Sequence, residues 1–457
     1  MRERARFPLA LQSPSGLLFG VSPRPLQLGR GLLLGGGKVY PEIGFARPSP
    51  AADAAAWPDV MARYRRAIDA LLEQARILEL PGLVIDFEHT PAMTEMPGRG
   101  EEVTALLRDA LDRAHAAFGL PGALRVTILD LRDRSRPPRL RDGPAWETMR
   151  ESWRRCAEAG ADILCVESVG GKEVYDPALL HADMEGIALA LGLLAPRDME
   201  WLWSGLSASA GRAVPGGDSA CVFANTAMQL ARQRMIPEVL AVVVRAMGAA
   251  RSLVAFECGA RGPSKGCAAE GHVLKAVTGC PISMAGKVAA AARPGPVGNI
   301  AAMAADLWSS ESIPDLPLPD GSAPEVFLEM LAYDCRLLNA AAARGRAALL
   351  RDLLVDSDEQ LSPQALLLGP AATLLLARVI VQHAGDDCRR TLSAGRAALG
   401  LLEEAVGDGR LRLDPNELRW MDRISRALDE IPNAAEKVLA QAAPRFREHF
   451  DPAGYGL

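Results

Sequence analysis

The sequence predicts an α/β fold: a (β/α)₈ barrel with an added N-terminal segment and a helical C-terminal region. Three observations predict it. Short β-rich apolar runs without polar alternation recur through the first three hundred residues, as expected of strands buried on both faces. Segments of helical periodicity stand between them. The competing open nucleotide-binding sheet lacks its motif. Gly29, Gly31, Gly35, Gly36 and Gly37 miss the G-x-G-x-x-G spacing, and Gly37-Lys38 is followed by Val39, which excludes a P-loop.

The strand candidates in order are 31–37 (GLLLGGG), 82–87 (GLVIDF), 124–129 (LRVTIL), 162–167 (DILCVE), 199–203 (MEWLW), a run near 213–221, 252–258 (SLVAFEC) and a weak run near 280–284. Helices are expected at 57–78, 101–118, 145–159 and 225–250. In the first of these, Val60, Met61, Tyr64, Ile68, Leu71 and Leu72 share one face. The character changes after about residue 300. A Pro-rich stretch at 312–324 reads as a loop. Helices follow at 325–343, 347–354, 363–383, 386–406, 415–431 and 434–450. On the first of them Val326, Met330, Leu331, Leu337 and Leu338 mark an apolar face. The division is therefore 1–310 for the barrel with its N-terminal extension, and 311–457 for a mainly helical region packed on it.

Composition narrows the function. The 457 residues carry a net charge of −5 with scattered basic side chains, which argues against a nucleic-acid binder. No apolar run reads as the roughly 20 residues of a membrane helix. The N-terminus has no signal-peptide pattern, so the expectation is a cytoplasmic protein without membrane or nucleic-acid partners. The eight cysteines are expected to be reduced, and no C-x-x-C pair is present. Only six basic residues are lysine, several of them beside glycine.

Barrel enzymes place their chemistry at the C-terminal ends of strands. That rule selects Asp86, Glu88 and His89 after the second strand and Asp130 after the third. It selects Glu167 with Ser168 to Glu173 after the fourth, and Asp218 to Cys221, Asn225 and Thr226 near the sixth. Glu257 and the 262–267 loop follow the seventh. Glu167, Cys221 and Cys267 form the useful set for a metal, since carboxylate and thiolate both bind zinc and three protein ligands leave a fourth position open. From pattern alone, an ion-paired glutamate and two buried cysteines is the commoner reading. His89 and His272 are more often structural groups than ligands.

Several blocks carry a resemblance. They are GGGKVYPEIGF (35–45), CVESVGGKEVYD (165–176), DSACVFANTAM (218–228), ARSLVAFECGARGPSKGC (250–267), VTGCPISMAGK (277–287), SSESIP near 309, LAYDCRLLN (331–339) and the closing PAGYGL. With these the chain resembles, nearly end to end, the methanol-specific B subunits of the methanol:corrinoid (methanol–cobalamin) methyltransferases.

The resemblance implies a barrel with extra helices and one zinc held by Glu167, Cys221 and Cys267. It implies methyl transfer from methanol to Co(I) of a corrinoid carried by a separate protein, and a homodimeric enzyme. No D-x-H-x-x-G cobalamin motif surrounds any of the six histidines, so the corrinoid is expected from another polypeptide. Glu88 or Asp130 is expected to assist proton transfer to the leaving oxygen, the alternative being ion pairs with Arg125 or Arg132. Lys172 and Lys265 are expected at the mouth or against the corrinoid partner. Val126 and Phe223 suggest a more apolar funnel, which would suit a methoxylated aromatic donor. Cys165 and Cys258 are expected to be core.

Overall fold

The computed structural model describes residues 4–46, 57–135, 137–219, 221–266, 270–287, 295–310 and 317–457; at Phe45, Ala46, Cys221, Val222 and Pro317 it describes the backbone alone. The chain opens with an antiparallel hairpin, β1 (Val21–Gln27) and β2 (Leu33–Gly36). Eight parallel strands follow: β3 (Tyr40–Ala46), β4 (Leu83–Glu88), β5 (Gly122–Leu129), β6 (Ile163–Glu167), β7 (Val214–Pro215), β8 (Lys265–Gly266), β9 (Ser283–Ala285) and β10 (Leu307–Ser309). Their order is β7-β6-β5-β4-β3-β10-β9-β8. The two edges meet through a parallel bridge between Ser219 and Lys265, and Lys265 N donates to Asp218 O at 3.2 Å. The sheet therefore closes into the expected barrel.

Alternation along each strand divides the core. Ile43, Ile85, Phe87, Leu124, Val126, Ile128, Leu164, Val166 and Trp308 pack outward against the helices. Tyr40, Val84, Ala123, Ile163, Cys165 and Leu307 point inward and meet Leu28, Leu32 and Leu34 of the hairpin region. The hairpin thus plugs the lower end of the barrel with apolar side chains, leaving the C-terminal end for polar groups.

The strand expectations need correction in six places, three runs that are not barrel strands and three strands that were not expected. Residues 31–37 contribute to the plug hairpin and not to the barrel. Residues 199–203 lie in the helix Ala195–Ser209, and 252–258 fall in the helix Glu238–Glu257 and its cap. The true first strand, β3, escaped notice because its inward positions include Glu42 and Gly44, which break the apolar run. β8 and β10 are too short, at 2 and 3 residues, to give a periodic signal. Glu238–Glu257 misled because nearly every side of it is buried, so its sequence lacks a polar face. It is also long and apolar enough to cross a membrane, contrary to the sequence reading, yet it lies wholly inside the protein as a core helix.

Smaller corrections concern helix ends and faces. The helix expected at 225–250 is two, Cys221–Arg232 and Glu238–Glu257, parted at Pro237. The one at 363–383 breaks at Gly369 and Pro370, and the last gives way to a 3₁₀ turn at Ala443–Phe446. On the helix Ala323–Ala343 the buried stripe is Leu328, Leu331, Cys335 and Leu338, while Met330 and Leu337 face solvent. Within 311–457, the helix Asp387–Gly407 packs along Glu238–Glu257, and Ala323–Ala343 packs over β3. Asn339 on the latter bonds both backbone groups of Val39, at 2.8 and 2.9 Å, so this helix holds the first barrel strand in register.

Candidate active site at the barrel mouth

Above the plug the barrel interior becomes charged. Arg125 donates to Glu42 Oε1 at 2.9 Å and to Pro263 O at 2.8 Å. Ser283 donates to the other oxygen of Glu42. Thr127 donates to Asp86 at 3.0 Å, and Lys265 Nζ donates to Asp86 at 3.1 Å and Glu88 at 2.6 Å. All but Glu88, whose side chain is 25% exposed, are buried. Burial pulls the lysine value down, but Glu88, Asp86 and Glu42 overcome it and hold Lys265 above its ordinary value. Lys265 is therefore a fixed cation at the mouth, and Glu88 is its most open carboxylate partner.

The strands bring two of the three metal candidates, and the segment leading to the third, to this mouth. Glu167 is the last residue of β6. Ser219, next along the barrel, donates its N–H to Val166 O and bridges Lys265. Cys221 follows Ser219 by two residues and opens the helix Cys221–Arg232. Cys267 follows Lys265 by two residues but lies outside the described residues. Barrel closure thus joins the segments leading to both cysteines on adjacent strands, next to the strand carrying Glu167. Among the described residues, no group of three or more His, Cys, Asp or Glu gathers as a metal cluster.

A family model for the methanol-cobalamin methyltransferase B subunit matches residues 5–456. The chain belongs to that family. It is 33% identical over 457 residues to the methanol–corrinoid protein co-methyltransferase of Methanosarcina barkeri (strain Fusaro / DSM 804), covering 98% of each chain. Its structure superposes on a chain of the crystal structure of the methanol:cobalamin methyltransferase complex MtaBC from Methanosarcina barkeri. The TM-score is 0.94 and the identity 32%, with 100% of each chain covered.

The remaining candidates of this family member separate cleanly. Asp130 is buried with Arg132 across both of its oxygens, at 2.9 and 2.7 Å, and Arg132 reaches on to Asp198 at 2.7 Å. That is the ion-pair alternative stated above. Arg125 serves Glu42, and Glu88 takes Lys265 instead. Lys172 pairs with Asp176 one turn along its own helix. Val126 packs outward in the helical layer and so lines no funnel, and Phe223 is buried between Tyr175 and Arg251. His89 and His272 are fully enclosed, and burial pushes both down to about 3, so they stay neutral. Cys165 is buried in the lower barrel, and burial pushes its thiol up to about 12. Cys258 is half-buried, its thiol also pushed up to about 12. Glu257 ends a helix and receives Arg4 and Arg390.

Asp198 and the role of Tyr455 were missed because both act on the site from far along the chain. The loop after Glu167 is held from three directions. Asp218 accepts from Ser168 N and Oγ, each at 3.1 Å. Gly170 abuts Asp198, where an added Cβ would fall 2.3 Å from the carboxyl carbon. Gly171 has φ +88°, a left-handed conformation that favours glycine. Its N–H donates at 2.7 Å to the hydroxyl of Tyr455, which in turn donates to Glu173. The closing PAGYGL block is thus a tie on this loop.

Burial pushes Glu173 up to about 7, against the Tyr455 hydrogen bond. The folded value lies above the unfolded one. The stabilising contribution is therefore full below the ordinary value of 4.5 and is lost as pH rises through about 7. Thermal melts of Glu173→Gln are expected to show a flatter fall in Tm between about pH 5 and about pH 8 than the wild type. An unchanged slope would remove Glu173 as its source.

Proposed function

We propose that this chain is a zinc-dependent methyltransferase that takes the methyl group of methanol and passes it to the cobalt of a corrinoid carried by a separate protein. Family membership along residues 5–456 carries the reading. Glu167, Cys221 and Cys267 would hold the zinc. One carboxylate and two thiolates are donors suited to that ion, and three protein ligands leave a position for the donor oxygen. The fit is supported by the Ser219–Lys265 bridge, which joins the segments leading to both cysteines beside the strand of Glu167. When bound, zinc supplies a Lewis acid at the oxygen and the partner's reduced corrinoid supplies the nucleophile.

The chain's own residues do the rest. The apolar plug closes the lower barrel, so donor and partner are confined to the mouth. Glu88 would assist the transfer of a proton from water to the departing oxygen, and Lys265, anchored on Asp86, fixes its carboxylate. Asp130, spanned by Arg132, is left with an orienting part. Lys172, paired with Asp176 at the start of its helix, would meet the corrinoid partner at the rim. The exposed Met330, Tyr333 and Leu337 on one helix support self-association as a homodimer, and the unbridged cysteines among the described residues support a cytoplasmic setting.

A donor screen tests the reading. Purified protein with zinc, a reduced corrinoid protein and donors from methanol to methoxybenzoates would be followed by the Co(I) to methyl-Co(III) spectrum. Methanol is expected to methylate cobalt, and Glu88→Gln to slow it about 100-fold at full zinc content. Turnover with aryl methyl ethers alone would replace methanol as donor. No turnover with any donor would sink the proposal.

A further inference from the structure

Arg251 lies on the core helix Glu238–Glu257 and is 1% exposed. Its side chain leaves the helix to meet both segments that lead to described metal candidates. Nη2 pairs with Asp218 Oδ2 at 2.9 Å and donates to Ser168 Oγ. The guanidinium carbon stands 4.0 Å from the centroid of the Phe223 ring. Ser168 is the residue after Glu167. Asp218 is three residues before Cys221, and Phe223 is two after it. One side chain of the scaffold therefore touches the chain on both sides of Cys221 and immediately beyond Glu167.

The contact is reinforced from the opposite side. Tyr175, on the helix Lys172–Leu180 after the Glu167 loop, donates to Phe223 O at 2.9 Å, and the two rings lie 5.0 Å apart. Phe223 is thus gripped between Tyr175 and Arg251. Arg251 sits on a helix packed along Asp387–Gly407, so its backbone belongs to the scaffold and not to the loops.

We propose that Arg251 is a positioning residue that fixes Glu167 relative to Cys221 and so sets zinc affinity. This rests on the zinc reading above. A guanidinium can lay its flat face on an aromatic ring while its edge donates to a carboxylate and a hydroxyl. A lysine ammonium can keep the ion pair but not the stack and the fork together. Groups that orient metal ligands typically change metal affinity 10- to 100-fold when removed.

The test uses the full chain and three variants: Arg251→Lys, Arg251→Met, and Arg251→Met combined with Asp218→Asn. Zinc affinity is read by competition with a chromophoric chelator, and Tm by thermal melting. Arg251→Met is expected to weaken zinc about 10- to 100-fold and to lower Tm, because it strands the buried Asp218. The double variant removes that stranded charge, so it is expected to recover Tm but not zinc affinity. Arg251→Lys is expected to keep most of Tm and still bind zinc more weakly. Zinc affinity that simply follows Tm, returning to the wild-type value in the double variant and in Arg251→Lys, would overturn the proposal. A wild type that binds no zinc would refute the zinc reading itself, and this inference with it. A wild type that binds zinc beside variants that bind it equally well would refute only the role of Arg251.

Discussion

Cys221→Ala and Cys267→Ala are each expected to lose zinc and to lower methyl transfer by about 1000-fold or more. Two of the three proposed ligands remain in each variant, too few to hold the ion against dilution and leave its fourth position ordered. A Lewis acid at a developing oxyanion is worth several kcal/mol, and each ~1.4 kcal/mol is tenfold in rate. Without it, the departing oxygen of methanol has only proton transfer to stabilise it. Cys165→Ala is the control. That thiol is buried in the lower barrel and pushed up to about 12 by burial, so its loss is expected to cost stability and leave zinc content unchanged. Metal analysis and the methyl-Co(III) spectrum read both effects. A Cys221→Ala protein with full zinc and full rate would exclude Cys221 as a ligand.

Arg132→Met is expected to destabilise the fold by about 3–5 kcal/mol, the usual cost of breaking a buried ion pair from one side. Asp130, Arg132 and Asp198 have side chains at most 1% exposed. Burial raises the Asp198 carboxyl, and Arg132 opposes that shift; removing the cation leaves two carboxylates enclosed with little water. Arg132 also donates to Leu140 O at 2.8 Å, so the loop after β5 loosens as well. Adding Asp130→Asn and Asp198→Asn is expected to return much of the loss, because neutral amides need no counter-ion. Chemical denaturation measures all three proteins. An Arg132→Met protein as stable as the wild type would show that water reaches this triad.

The loop after Glu167 makes the two effects connected. Asp198 supports Gly170 and pairs with Arg132, while Tyr455 and Asp218 hold Gly171 and Ser168. Loosening the triad is therefore expected to disturb the Glu167 strand end as well as stability.

Three barrel strands were legible almost to the residue. β4, β5 and β6 are continuous apolar runs because helices cover one face and the barrel interior the other, and the helices between them keep one polar side. β9 was visible more faintly. β7 fell within the run expected near 213–221, but β8 and β10 have 2 and 3 residues, and no local pattern marks so short a strand. The core helix Glu238–Glu257 was read partly as strand for the opposite reason, since burial on every side erases the helical period.

Residue types at strand ends brought Glu88, Glu167, Cys221, Cys267 and Lys265 forward, and family blocks tied three of them to zinc. Those choices depend on chemistry carried by the side chain and on short stretches of neighbours, which a linear chain displays. The partners of those residues depend on the path of the whole chain. Lys265 meets Asp86 and Glu88 from 179 and 177 residues away, Arg251 meets Ser168 from 83, and Tyr455 meets Gly171 from 284. Burial and pairing energies are set by such distances in space, and no spacing along the sequence encodes them. Tertiary structure alone therefore decided that Asp130 is enclosed by Arg132, that Val126 faces the helices, and that Arg251 reaches both segments of the proposed metal site.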